Sequence, residues 1–142
     1  MYSSETRGFR LMAQAHSAER TTILVVDHDS TNLRLARRVL ESAGFQVREA
    51  RDAMSTLETL KSCRPAMIVL DIQLPGMDGW ELTRRLRTNF ATRDIPIIVA
   101  TAFGSKSDRA YARQAGCAEF VEKPISSPEL PSIIRRHLAG SE

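Results

Sequence analysis

The sequence predicts an α/β chain built on a doubly wound, five-stranded parallel sheet. Three observations carry that expectation. Short apolar runs of strand length alternate along the chain with stretches whose apolar residues recur every three or four positions. The runs are mostly continuous rather than alternating, the pattern of strands covered on both faces. Each run is joined to the next by a helix-length segment, which is the crossover that parallel strands need.

Thr22–Val26 is the first such run, and it ends in acids. Ser30 can cap a following helix in which Leu33, Ala36, Val39, Leu40 and Ala43 recur at helical spacing, and Gly44 follows as a left-handed stop. Phe45–Ala50 reads as a short second strand, and Ala53, Leu57 and Leu60 mark a second helix. Pro65 precedes Ala66–Leu70, the most apolar run of the chain. The loop Gln73–Gly79 holds Pro75, Gly76 and Gly79, and Trp80–Asn89 is the third helix. Ile95–Ala102 is the fourth strand, Lys106–Ala115 the fourth helix, Glu119–Glu122 the fifth strand and Ser127–Leu138 the fifth helix. Pro128 is tolerable in that helix's first turn, where backbone N–H groups lack helical partners, whereas Pro131 sits deeper. Met1–Arg20 is expected to be a flexible tail, with a helix carrying Phe9, Met12, Ala13 and His16 on one side as the alternative. The single domain then spans residues 21–138, followed by a tail of residues 139–142.

Composition narrows the class. The 142 residues are 42% hydrophobic and 26% charged, which suits one folded domain rather than a disordered or disulfide-stapled chain. No apolar run is long enough to cross a bilayer, and the charged first twenty residues do not read as a secretory signal. Cys63 and Cys117 lack metal-ligand spacing and suit a reducing cytoplasm. The net charge of +3 raises nucleic acid as a partner. However, Arg34, Arg37 and Arg38, Arg84, Arg85 and Arg87, and Arg135 and Arg136 fall on separate helices, interleaved with acids. Neither nucleic acid nor membrane is expected as a direct partner.

Ligands of such sheets sit beyond the carboxyl ends of the strands. This chain places Asp27, His28 and Asp29 at the end of the first strand, Asp71 at the third, Thr101 at the fourth, and Lys123 and Pro124 at the fifth. Each alone could be a loop cap or a surface residue. Together they gather acids, a hydroxyl and an ammonium in one crevice. Clustered carboxylates suit a hard divalent cation, most plainly Mg²⁺. A carboxylate beside that cation can attack phosphorus to give an aspartyl phosphate, with the hydroxyl and ammonium bonding the phosphoryl oxygens.

Four motifs then carry a resemblance: Ile23-Leu-Val-Val-Asp-His-Asp29, Ile68-Val-Leu-Asp-Ile-Gln-Leu-Pro-Gly-Met-Asp-Gly79, Ile97-Ile-Val-Ala-Thr-Ala102 and Phe120-Val-Glu-Lys-Pro124. Over residues 21–138 the chain resembles the receiver domain of two-component response regulators, of the chemotaxis-regulator type. The resemblance implies a flavodoxin-like (βα)5 sandwich with strand order 2-1-3-4-5. It implies that Asp71 accepts phosphate from a sensor histidine kinase or histidine phosphotransfer protein. It implies a Mg²⁺ site at Asp27, Asp71 and the Gln73 backbone carbonyl, and a phosphoryl-binding Lys123. Thr101 and Phe120 are the implied switch pair, and the bond between Lys123 and Pro124 is implied to be cis. The face that would change, helix four, strand five and helix five, is the implied contact for a downstream protein, and a phosphorylation-dependent homodimer is an allowed outcome. Such a domain is a signalling module rather than an enzyme, at most taking phosphate from small donors and hydrolysing its own aspartyl phosphate. The four residues Ala139–Glu142 after the fifth helix are too few to hold an output domain, and whether one was removed from a longer chain is left open by the sequence.

One position departs from the family. The first strand normally ends in two adjacent acids, and here the pair is Asp27-His28. Imidazole is a poor Mg²⁺ ligand and suits softer ions such as Mn²⁺ or Zn²⁺ better. Either Mg²⁺ binding weakens while phosphorylation survives, or a protonated His28 replaces the cation and leaves a pseudo-receiver that binds partners without phosphate. Retention of Asp71, Thr101 and Lys123 together favours the first. A haloacid-dehalogenase-like phosphatase is a remote alternative. Asp27-His-Asp29-Ser-Thr31 fits its nucleophile motif, but that reading needs a late acidic pair, and after Lys123 the chain has only Glu129 and Glu142.

Overall fold

The computed structural model describes residues 21–101, 106–122 and 127–140. Five strands, β1 (Thr22–Val26), β2 (Gln46–Ala50), β3 (Met67–Asp71), β4 (Ile97–Thr101) and β5 (Glu119–Glu122), are all parallel. Their order is β2-β1-β3-β4-β5, the doubly wound order expected. Five helices make the crossovers and the final return: α1 (Ser30–Ser42), α2 (Ala53–Ser62), α3 (Gly79–Thr88), α4 (Lys106–Ala115) and α5 (Leu130–Gly140). The chain moves from β1 outward to β2, then returns past β1 to β3. A crevice opens where the winding reverses, between β1 and β3, and this is where such sheets bind ligands.

The strand sequences explain the sandwich. Successive side chains point to opposite faces of a strand, so each apolar run feeds two cores at once. Ile23, Val25, Met67, Val69, Ile98 and Ala100 pack with Leu33, Ala36 and Leu40 of α1 and Leu130 and Ile134 of α5. Leu24, Val26, Ile68, Leu70, Ile97 and Val99 pack on the other face with Leu82 and Leu86 of α3. β2, an edge strand, is less covered: Val47 and Ala50 are buried, one in each core, while Gln46, Arg48 and Glu49 are exposed.

The element ends refine the sequence reading. Asp29, not Ser30, caps α1, its carboxylate accepting from the Thr31 N–H at 2.8 Å and more weakly from Asn32. Phe45 belongs to the turn after α1, with its N–H on the Leu40 carbonyl, so β2 starts one residue later than expected. The third helix begins at Gly79 and stops at Thr88, and β4 begins at Ile97. The last helix starts at Leu130, three residues later than expected, and runs to Gly140. Pro131 is therefore its second residue, where a missing N–H costs no helical bond. The expectations for Met1–Arg20, Lys123, Pro124 and the last two residues lie outside the described residues. Among the described residues no helix is long and apolar enough to cross a membrane.

Helix α2 carries a reciprocal cap. The Ser55 N–H donates to Asp52 at 2.7 Å, and the Ser55 hydroxyl receives the Asp52 N–H. Those bonds from Ser55 hold the Asp52 carboxyl below the ordinary carboxylate value. The stabilisation is thus complete above the unfolded-state value and is lost as pH falls through the lower folded-state value. Chemical denaturation across the acid range is expected to show a shallower loss of stability for Asp52→Asn than for the wild type.

Candidate functional site

The parallel register puts Asp27 and Asp71 side by side. Val26 pairs with Leu70, so the next residue on each strand is a carboxylate, and Asp71 in turn lies opposite Ala100, one short of Thr101. Asp27, Asp71 and Thr101 are all buried at these strand ends. Two strands thus carry fully buried acids to one edge, an arrangement that is costly unless each carboxylate is bonded. Asp27 Oδ1 accepts the Asp29 N–H at 2.9 Å and Oδ2 faces the Asn32 amide at 3.4 Å. Asp71 Oδ1 accepts the Gln73 N–H at 2.9 Å. No buried side-chain polar atom lacks a partner among the described residues.

His28 follows Asp27, two residues past the end of β1, and its side chain is half exposed beside the two carboxylates. Its Nδ1 lies 3.5 Å from Asp71 Oδ2 and 3.7 Å from Asp27 Oδ1. The Arg51 guanidinium donates to the His28 carbonyl at 3.2 Å and pins the backbone there. One ligand atom from each of Asp27, His28 and Asp71 falls within 4.8 Å of the others, the one such cluster among the described residues. The two carboxylates fit a divalent cation such as Mg²⁺; the imidazole fits it less well than the acid it replaces. Asp29 uses its exposed carboxylate to cap α1 and is not one of these three ligands.

The loop after β3 is held shut by Gly79. Its N–H donates to the Ile72 carbonyl at 2.8 Å, bringing the start of α3 back against the strand end. A Cβ there would stand 2.4 Å from Ile72 Cα and 2.9 Å from the Asp71 carbonyl oxygen. Gly76 serves a different need, a positive φ of 86° in open space. Beside this loop a groove of about 550 Å³ is lined by Asp52, Met54, Pro75, Gly76, Met77 and Arg85. Met54 is largely exposed at its rim.

Two features escaped the sequence reading. Phe120, the expected switch aromatic, is half-buried and stacks on Trp80 with centroids 6.5 Å apart and planes 4° from parallel. Trp80 also meets Tyr111 at 6.2 Å, so α3, α4 and β5 share an aromatic cluster. Tyr111 is 53% exposed. At the opposite end of the sheet Arg87 donates to three backbone carbonyls, Gly116 at 2.8 Å, Arg93 at 2.5 Å and Ile95 at 2.6 Å. Burial lowers the guanidinium's pKa, and it also raises that of the nearby Cys117 thiol. Cys63 and Cys117 are free and half-buried. Several arginines spread over the helices pair with acids, as Arg37 does with Glu49 and Arg85 with Glu81.

The structure therefore brings together Asp27, His28, Asp71, the Gln73 backbone and Thr101, while Lys123 and Pro124 are outside the described residues. Comparison with known proteins agrees with this geometry. The profile of the response regulator receiver domain matches residues 23–135. The polar-differentiation response regulator DivK of Brucella anthropi is 34% identical over 120 residues, which are 84% of this chain and 98% of that protein. Among solved structures, the signal receiver domain of a histidine kinase from Syntrophus aciditrophicus superposes with a TM-score of 0.77 at 30% identity, covering 85% of this chain and 92% of that one. The receiver domain of the sensor histidine kinase PA1611 from Pseudomonas aeruginosa gives 0.75 at 30% identity, covering 84% and 98%, and holds a magnesium ion in its active-site cleft. A sheet wound in this order, with paired acids at its switch point, in a chain with these relatives, belongs to the response regulator receiver domains of two-component systems.

Proposed function

We propose that this receiver domain takes a phosphoryl group onto Asp71 from a phosphohistidine on a sensor kinase or phosphotransfer protein. The observation that carries this reading is the placement of Asp71: a fully buried carboxylate at the switch point, with Oδ1 fixed by the Gln73 N–H and Oδ2 turned into the crevice. An Asp71 oxygen forms the new O–P bond as the donor's N–P bond breaks, and the departing imidazole takes up a proton. Asp27, Asp71 and the Gln73 carbonyl would hold Mg²⁺, or Mn²⁺ in its place, which when bound neutralises the phosphoryl oxygens. Thr101 and Lys123 donate to those oxygens once transfer is complete.

The switch follows from what moves with Thr101. As its hydroxyl turns toward the phosphoryl group, Phe120 settles inward, and the population shifts toward the state whose α4–β5–α5 face binds the downstream partner. That face could equally pair two copies of the chain. The groove beside the loop after β3, with Met54 and Met77 in its lining, offers the donor protein an adaptable surface. A cytoplasmic setting fits both the kinase and the free cysteines.

Intact-mass spectrometry after incubation with acetyl phosphate tests the reading, with Mg²⁺, Mn²⁺ or EDTA present. The wild type is expected to gain one phosphoryl group in a metal-dependent way, and Asp71→Asn none. One observation favours a second reading, a pseudo-receiver that binds partners without phosphate: His28 Nδ1 stands within 3.7 Å of both buried carboxylates, where a cation would. Absence of phosphoryl gain with every metal, and with a phosphorylated histidine donor protein, would establish that alternative.

A further inference from the structure

The departure at His28 changes the donor set of the site, and donor sets select metals. Of the three converging ligand atoms, Asp27 Oδ1 and Asp71 Oδ2 are carboxylate oxygens and His28 Nδ1 is an imidazole nitrogen. Two donors on one ion at about 2.1 Å lie roughly 3.0–3.4 Å apart; the imidazole nitrogen stands 3.5 and 3.7 Å from the two carboxylates, a few tenths of an ångström beyond that, and the three residues' ligand atoms lie within 4.8 Å of one another. The frame that holds them is already built. Asp29 N–H and the Asn32 amide face the Asp27 carboxylate, Gln73 N–H fixes Asp71, and Arg51 fixes the His28 main chain. Such outer contacts orient metal ligands and strengthen them. His28 is half exposed, which leaves an ion a path in and room for waters to complete its shell.

Mg²⁺ gains little from a nitrogen donor, whereas affinity for a mixed nitrogen–oxygen site rises through the first-row divalent ions toward nickel, copper and zinc. We infer that Asp27, His28 and Asp71 form a two-oxygen, one-nitrogen site that takes a first-row transition ion of the nickel–zinc class in preference to Mg²⁺. This deepens the proposed function in one respect: it rests on Asp27 and Asp71 being the metal-binding carboxylates. It assigns to His28 the place of a ligand, where the second reading above makes it a substitute for the ion. Among the described residues His137 offers no rival site, since it meets one carboxylate, Glu119, at 2.8 Å and joins no cluster of three ligands.

The test uses the full untagged chain with no phosphoryl donor present. Calorimetric titration with Mg²⁺, Mn²⁺, Ni²⁺ and Zn²⁺ is run on the wild type, His28→Ala and His28→Asp, each checked for an unchanged far-ultraviolet circular dichroism spectrum. The wild type is expected to bind Ni²⁺ at one site at least about tenfold more tightly than Mg²⁺. His28→Ala should lose that advantage, and His28→Asp should bind Mg²⁺ more tightly than the wild type does. Electron spin echo modulation of the Mn²⁺-loaded wild type should show coupling to an imidazole nitrogen that vanishes in His28→Ala. Equal affinity for Ni²⁺ and Mg²⁺, or a nitrogen signal that survives His28→Ala, overturns the inference. Phosphorylation of Asp71 supported by Mg²⁺ would leave the proposed function standing in that case. A His28-dependent Ni²⁺ site in a chain that never takes phosphate would remove the proposed function and leave this inference intact.

Discussion

Gly79→Ala is expected to cost at least about 3 kcal/mol of folding stability, near the upper end of the usual overpacking range. The added methyl would sit 2.4 Å from Ile72 Cα and 2.9 Å from the Asp71 carbonyl oxygen, and both obstacles are backbone. Side chains can rotate away from an intruding methyl; a strand end that is paired to β4 cannot. Ile72 N–H bonds the Ala100 carbonyl, so moving Ile72 strains the sheet edge itself. The alternative is to lift α3 away and lose the bond from Gly79 N–H to Ile72 together with the packing of Leu82 and Leu86. For a domain of this size the loss corresponds to a fall in melting temperature of roughly 10–20 °C, readable by differential scanning fluorimetry. Gly76→Ala makes the matched control. Its Cβ would meet nothing within 4 Å, and the positive φ of 86° alone predicts a cost of about 1–2 kcal/mol. Equal losses for the two variants would show that steric contact with the strand end is not what Gly79 relieves.

Arg87→Met is expected to produce the second large loss, about 2–4 kcal/mol. One guanidinium answers three carbonyls from the α3–β4 connection and the turn after α4, and a hydrogen bond to a charged donor is worth about 1.5–3 kcal/mol. The three do not sum, because the wild type already pays to bury the cation, as its lowered pKa records. Methionine keeps much of the packing of the stem and removes all three donors. Arg87→Lys can restore one bond and is expected to recover less than half the loss, since a single ammonium cannot reproduce the fork. Urea denaturation of the three proteins measures the series. A methionine variant within about 0.5 kcal/mol of the wild type would mean that water serves those carbonyls as well as Arg87 does.

Most of the fold was legible because strand residues here are buried on both faces. Ile68–Leu70 and Ile97–Val99 carry no polar residue that could be mistaken for a solvent-facing side. The positions of Asp27, Asp71 and Thr101 were legible for a related reason: a polar residue that closes a wholly apolar strand must stand at its end, and strand ends in a parallel sheet converge. Element boundaries were less so. Ser30 and Asp29 are both good caps by residue type, and only the carboxylate's bond to the Thr31 N–H decides between them. Ser127 and Pro128 look like a helix start, yet the chain makes a turn first and enters α5 at Leu130. What could not be read was contact between side chain and distant backbone. The acceptors of Arg87 are carbonyls, which every residue has, so nothing in the sequence marks them. The partners of Trp80 lie 31 and 40 residues away, at Tyr111 and Phe120, and follow from the winding of the sheet.

Trp80 is the only tryptophan in the chain. Indole emission therefore comes from a single ring, one that lies flat against Phe120 and beside Tyr111, and whose neighbour Gly79 rests on the backbone of Asp71 and Ile72. Under the proposed function, a chromophore in that position is expected to respond both to the loop beside Asp71 and to any movement of Phe120. Phosphorylation or metal binding at the strand ends is then expected to change the emission of this one indole, an optical readout that needs no attached label.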